Sequence, residues 1–294
     1  MLKGLAITPP VVGRISIGRV IERNGKRLPE KDDQFTITTQ VQNREGWILH
    51  PLDEALRRES GGKLRSLPIR LLFNDPTLNF RSTYSLFDRG TGRPLCVGNG
   101  ESCRRAGKER VETLPCVGPD TCPFAEGNCK VYARFAVVIG DEVEDAFGTF
   151  VLRTTSFNTV RTLAARLQYF DAVSGGRLAT MPLELRLRGK STAMSFRSTI
   201  YYVDLTVRSG LTLEAAIEQA RATDLQRKER GYDQDALDLA AKRGFANGDF
   251  EEAEDDVPSV IEEFFPEPGA AHQVQTSVTS GALSERLGKK LASP

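Results

Sequence analysis

The chain has 294 residues and a mass of 32.4 kDa, with 39% hydrophobic and 27% charged residues, which is enough to bury a sizeable core and gives the balance of an ordinary globular protein. No run of about 18 apolar residues is present, so a transmembrane helix is excluded, and the N-terminus lacks a signal-peptide core, which reads as cytoplasmic. The net charge of +1 hides an asymmetry: residues 248–294 carry ten acidic against three basic residues, so a basic body of +8 is joined to an acidic tail of −7.

In chain order, β-branched runs at 15–22 (ISIGRVIE) and 34–42 (QFTITTQVQ) predict a hairpin turned by NGKRLPEKDD. A short helix follows at 52–58 (LDEALRR), stopped by Ser-Gly-Gly. Strands are predicted at 68–73 and 78–88, separated by Asn-Asp-Pro-Thr. Residues 90–130 are dense in Gly and Pro and lack hydrophobic periodicity, so they read as a long loop that something other than an apolar core must order. Strands resume at 130–140, where Val131, Ala133, Phe135, Val137 and Ile139 share a face, and at 148–156 beyond the acidic stretch DEVEDA (141–146).

The period then changes to that of a helix, with Val160, Leu163, Ala164, Leu167 and Phe170 on one stripe, Ser156 or Asn158 as N-cap and Ser-Gly-Gly at 174–176 as the stop. A second hairpin is predicted from 181–188 and 196–208. Its first strand sets Leu183, Leu185 and Leu187 against Glu184, Arg186 and Arg188. A helix over 211–231, capped by Thr212, carries Leu213, Ala216, Ile217, Ala220 and Leu225 as its stripe, and 236–245 continues it or forms another. From residue 247 onward Pro, Glu, Asp, Ser and Gly predict disorder. The fold class is α+β: a mainly antiparallel sheet with two or three packed helices in one domain (1–246), a Cys-rich insertion at 90–130 and an acidic tail (247–294).

All five cysteines fall within 34 positions, with spacing C-x6-C-x12-C-x5-C-x6-C. Soft thiolates on a Gly/Pro-rich segment suit a structural, tetrahedral Zn²⁺, whose bonds replace a missing core. Four ligands are needed. Cys103, Cys116, Cys122 and Cys129 are the first choice, with Cys96 as a substitute. No C-x-x-C pair is present, and an iron–sulfur cluster or ordinary thiols remain alternatives.

A catalytic metal is disfavoured, because only His50 and His272 are present and no hydrolase, deaminase or phosphate-loop motif occurs. The chain therefore reads as a non-enzyme. Candidate contacts to nucleic acid are Arg104, Arg105 and Lys108 in the cysteine segment, and Arg186, Arg188, Lys190, Arg197 and Tyr201 on the second hairpin. There cations would follow phosphates and a tyrosine would stack on a base. The competing reading is a solvated surface. The tail segment 251–268 mixes acids with Val, Ile and paired Phe, a composition suited to docking on a protein partner or to a plain linker.

The runs LPCVGPDTCPF, NCKVYARFAVVIG and GTFVLRTTSFNTVRTL resemble the recombination directionality factors of phages and mobile elements, over about residues 5–210. Similar sequences occur on plasmids and integrative elements. The resemblance implies a non-catalytic accessory protein that binds a serine integrase on DNA and favours excision, with a metal held by the cysteines. A single-stranded-DNA-binding or annealing protein of a recombination system is the second reading, and a metal-dependent hydrolase a distant third.

Overall fold

In the computed structural model the described residues are 10–23, 26–44, 46–107, 110–140, 148–191, 199–245 and 257–265. Strands β1 (Val11–Arg23) and β2 (Lys26–Asn43) form the first hairpin, and its ladder runs to the pair Arg23 and Lys26. The strands extend through most of the predicted turn, because cross-strand backbone pairing does not require an apolar side chain at each position. A short strand β3 (Gly46–Leu49), unpredicted, folds back on β2. Helix α1 (Pro51–Glu59) is capped by His50, whose Nδ1 accepts from the Leu52 amide at 3.2 Å; its ring stands edge-on to Phe150 at 5.0 Å. One of the two histidines is thus a half-buried helix cap packed on Phe150, and His272 lies outside the described residues.

Strand β4 (Ser66–Arg70) leads to Asn-Asp-Pro-Thr, where Asp75 caps a one-turn helix α2 (Pro76–Asn79) with Pro at its first position. This is where a missing amide costs least. Strand β5 (Phe80–Phe87) then enters the sheet. The segment expected as a loop instead forms three strands, β6 (Pro94–Gly98), β7 (Ser102–Ala106) and β8 (Val111–Pro115), before a turn region leads to β9 (Lys130–Ile139). The Gly and Pro residues mark the tight connections of a meander. Period-2 hydrophobicity is missing because much of β8 and parts of β7 face solvent.

Strand β10 (Thr149–Thr154) precedes helix α3 (Phe157–Ser174), capped by Ser156 and ended by Gly175 in the left-handed conformation. Strands β11 (Leu183–Lys190) and β12 (Ile200–Val207) form the second hairpin. Helices α4 (Leu213–Glu229) and α5 (Gln234–Phe245) are separate. Leu225, expected on the α4 stripe, is exposed, because its five-residue step from Ala220 takes it off the face on which Leu213, Ala216, Ile217 and Ala220 pack. Helix α6 (Val257–Phe264) lies within the segment expected to be disordered. The rest of that expectation, and the DEVEDA stretch, fall outside the described residues.

The sheet runs β3-β2-β1-β10-β9-β5-β6-β7-β8, and a branch of β12, β11 and β4 joins it at β9. Only the β1–β10 pairing is parallel among the described ladders. Strand β9 is the junction. One edge pairs with β10; the other pairs with β5 at its first half and with β4 at Val138 and Ile139. Phe35, Phe135, Leu152, Leu163, Leu167, Leu183, Leu185, Val203 and Leu205 fill the core between the two sheet parts and helix α3. The fold is α+β with a mainly antiparallel sheet, as expected, and no described helix is long and apolar enough to cross a membrane.

Candidate functional site

The strand register sets the geometry of the cysteine segment. Cys96 on β6 pairs with Leu86 of β5 on one side and Arg105 of β7 on the other, while Gly98 pairs with Tyr84 and Cys103. Paired residues and residues two apart on a strand share a face, so Cys96, Cys103 and Arg105 project together. Cys116 follows β8, and its amide donates to the Glu101 carbonyl at 2.9 Å, which folds its chain end over the β6–β7 turn. A side chain on Gly98 would lie 2.9 Å from the Cys116 Sγ and 2.8 Å from the Cys103 Cβ, so the sulfur occupies the space glycine leaves. Cys122 opens the turn in which Ala125 donates to its carbonyl, and Cys129 immediately precedes β9.

All five thiols are near enough to feel one another. Burial pushes the Cys129 thiol up to about 12, and the neighbouring Cys96, Cys122, Cys116 and Cys103 add to the shift. Burial likewise raises Cys103 to about 11, helped by a hydrogen bond to Cys96 and by the charges of Cys96 and Cys116, while the Arg105 cation works in the opposite direction. Cys103 is the most buried of the set, at 4% exposure, and its Sγ lies 3.7 Å from the Pro115 carbonyl, to which only an S–H can donate. The five are free thiols, and among the described residues no three His, Cys, Asp or Glu side chains form a group that could hold an ion as they stand.

Arg105 was singled out for phosphate, yet it sits inside this cluster. Its guanidinium lies 3.9 Å over the Phe124 ring, its Nε is buried without a hydrogen-bond partner, and it interacts with Cys96, Cys103 and Cys122. A cation among converging thiols offsets the negative charge they carry once deprotonated. Sequence reading missed this role and that of Gly98, whose only signal was its place two residues after Cys96. Replacing Gly98 with Val is expected to push Cys116 out of the cluster and to cost about 1–3 kcal/mol, the usual range for overpacking; thermal melting checks it.

The second hairpin spends its cations internally. Arg186 pairs with Glu184 and donates to the Ser209 hydroxyl, Arg188 and Arg166 both bind Asp204 at 3.3 Å and 3.1 Å, and Lys190 donates to Asn158 at 2.6 Å with its ammonium 5.8 Å from the Tyr202 ring. Tyr201 pairs across from Gly189 and is half-buried. Arg104 faces away from the cysteine cluster, opposite Val97 and Thr113. Lys108 and Arg197 lie outside the described residues.

Glu184 is 3% exposed. Burial pushes its carboxyl upward, but the Ser209 amide, Arg186 and the Ser209 hydroxyl outweigh burial and hold it below the ordinary value. A depressed folded-state value means the contribution is present above the ordinary glutamate range and lost as pH falls through and below it. Glu184→Gln is therefore expected to cost about 2 kcal/mol at pH 7, the scale of hydrogen bonds to a charged group. The variant should also lose less stability than the parent between about pH 5 and pH 3, as read from melting temperatures across that range.

A family model described as Gp3-like, recombination directionality factor-like, matches residues 12–208, about two thirds of the chain. No curated protein and no solved structure matches it.

Proposed function

Because the chain belongs to the Gp3-like, recombination directionality factor-like family, we propose that it binds a serine integrase on DNA and shifts it from integration to excision without catalysing a step itself. The single observation that carries this reading is the extent of the match, which spans the sheet, the cysteine segment and the β10–α3 junction together. The internal pairing of Arg186, Arg188 and Lys190 favours recognition of a protein over direct capture of a single strand, since those cations already have partners.

Within this role the cysteine segment holds a structural zinc ion. The donor chemistry fits: Cys96 and Cys103 on the meander, Cys116 just after it, Cys122 in the following turn and Cys129 just before β9 are five soft thiols on neighbouring segments, with Arg105 to offset charge. Cys96, Cys116, Cys122 and Cys129 would hold the ion, and Cys103, which donates to the Pro115 carbonyl, is the thiol left over. The ion would supply four thiolate bonds in place of an apolar core.

The test is recombination of a supercoiled plasmid bearing the two hybrid attachment sites of a serine integrase from the same element. Excision with integrase plus this chain, and none with either alone, is expected. Binding to single-stranded DNA without integrase, combined with no effect on excision, would replace this reading with an annealing protein.

A further inference from the structure

Helix α6 is eight residues long, and isolated helices below about 12–15 residues are marginal in water. Its order therefore comes from what it rests on. Val260 and Phe264 are fully buried, and the Phe264 ring stands edge-on to Phe87 at 5.0 Å and to Tyr132 at 6.5 Å. The last helical carbonyl, that of Phe264, accepts from Lys130 Nζ at 2.8 Å, which places a cation at the negative end of the helix. Immediately before Phe264, the Glu263 carboxylate accepts from the Thr155 amide at 2.8 Å and from its hydroxyl at 3.2 Å. Arg89 lies 5.8 Å from the Phe265 ring.

The floor and rim of this groove, Phe87, Lys130, Tyr132 and Thr155, belong to the part of the chain that the family model matches, whereas the helix filling it lies beyond residue 208. Thr155 is part of the TTSFN run at the β10–α3 junction, and Lys130 adjoins Cys129. The groove is basic and aromatic, and its occupant is acidic and aromatic, matching the +8 body and −7 tail. A segment tethered to its own site competes at an effective concentration in the millimolar range for short linkers, so it fills a groove of modest affinity until a better ligand arrives.

We propose that the groove between Phe87, Lys130, Tyr132 and Thr155 is a docking site for an acidic, aromatic-bearing helix of a protein partner. At rest it is filled by the chain's own residues 257–265, which the partner must displace. An aliphatic residue four positions before the aromatic one, and an acid immediately before the aromatic, are the features the site reads, as Val260, Glu263 and Phe264 present them.

The experiment uses the full chain and a fluorescein-labelled synthetic peptide of residues 255–268 as probe. Phe264→Ala weakens the resident helix without touching the groove, and Val260→Asp serves the same purpose independently. Both variants are expected to bind the peptide at least tenfold more tightly than the parent, and adding Lys130→Glu to either should reduce that binding at least tenfold. Equal binding to parent and variants, or none to variants that still melt cooperatively, would overturn the proposal. So would a parent that sediments as a dimer dissociated by Phe264→Ala, since the helix would then be exchanged between copies. The assay contains no integrase and no DNA, so its failure leaves the proposed function standing.

Discussion

With zinc held by the cysteine segment as proposed, treating the purified chain with a strong chelator is expected to abolish hydrogen-exchange protection across residues 94–129 while the core strands stay protected. The division follows from the packing. The β6–β8 meander adds few side chains to the main core, and among the cysteines only Cys103 is fully buried. Core strands β9, β10 and β11, by contrast, are buried through their own side chains. Structural zinc contributes roughly 10–16 kcal/mol of apparent binding free energy in small zinc peptides, far more than three short, half-exposed strands supply alone. Native mass spectrometry should show one zinc per chain. Substituting Cys96, Cys116, Cys122 or Cys129 with Ser should weaken zinc binding by more than the roughly 10–100-fold seen for the loss of an outer-shell partner. Cys103→Ser should retain the ion. An apo protein with full protection at 94–129 would remove zinc from the account, and zinc loss in Cys103→Ser would return that residue to the ligand set.

Truncating Phe135 to Ala is expected to cost about 3–5 kcal/mol, the range for deleting a buried aromatic ring. The ring has no exposed surface and meets Phe80 edge-on at 5.6 Å. Its residue pairs with Phe80 on one side and Leu152 on the other, at the strand where the two parts of the sheet join. A cavity there loosens both, and since this size of domain loses about 2–4 °C per kcal/mol, the melting temperature should fall by roughly 10 °C. Val111→Ala on the exposed β8 is the matched control and should change stability by no more than about 0.5 kcal/mol. Comparable losses in the two variants would mean that β9 is not the junction of the core.

Much of the architecture was legible in local chemistry. The helical stripe of Val160, Leu163, Leu167 and Phe170, the Ser156 and Thr212 caps and the Gly175 stop are set by residues within a few positions of one another, and each stands where the pattern put it. The alternation along 130–139 identified β9 for the same reason. Strands β6, β7 and β8 were not legible. Their pairing lies across a sheet, and a half-exposed meander carries no apolar period to betray it. Leu225 was misplaced because it lies five residues after Ala220, a step that turns it off the stripe on which Leu213, Ala216, Ile217 and Ala220 meet the core.

The sequence by itself determined that five thiols crowd into one segment, that histidine is nearly absent, and that a basic body carries an acidic tail, because these are facts of composition and order. Only the tertiary structure decided what those charges and thiols meet. It turned Arg105 toward sulfur, spent Arg186 and Arg188 on buried carboxylates and laid Glu263 and Phe264 against Thr155 and Tyr132, more than a hundred residues away in sequence. The physical reason is that a side chain's partner is fixed by strand register and long-range packing, which no window of neighbouring residues contains.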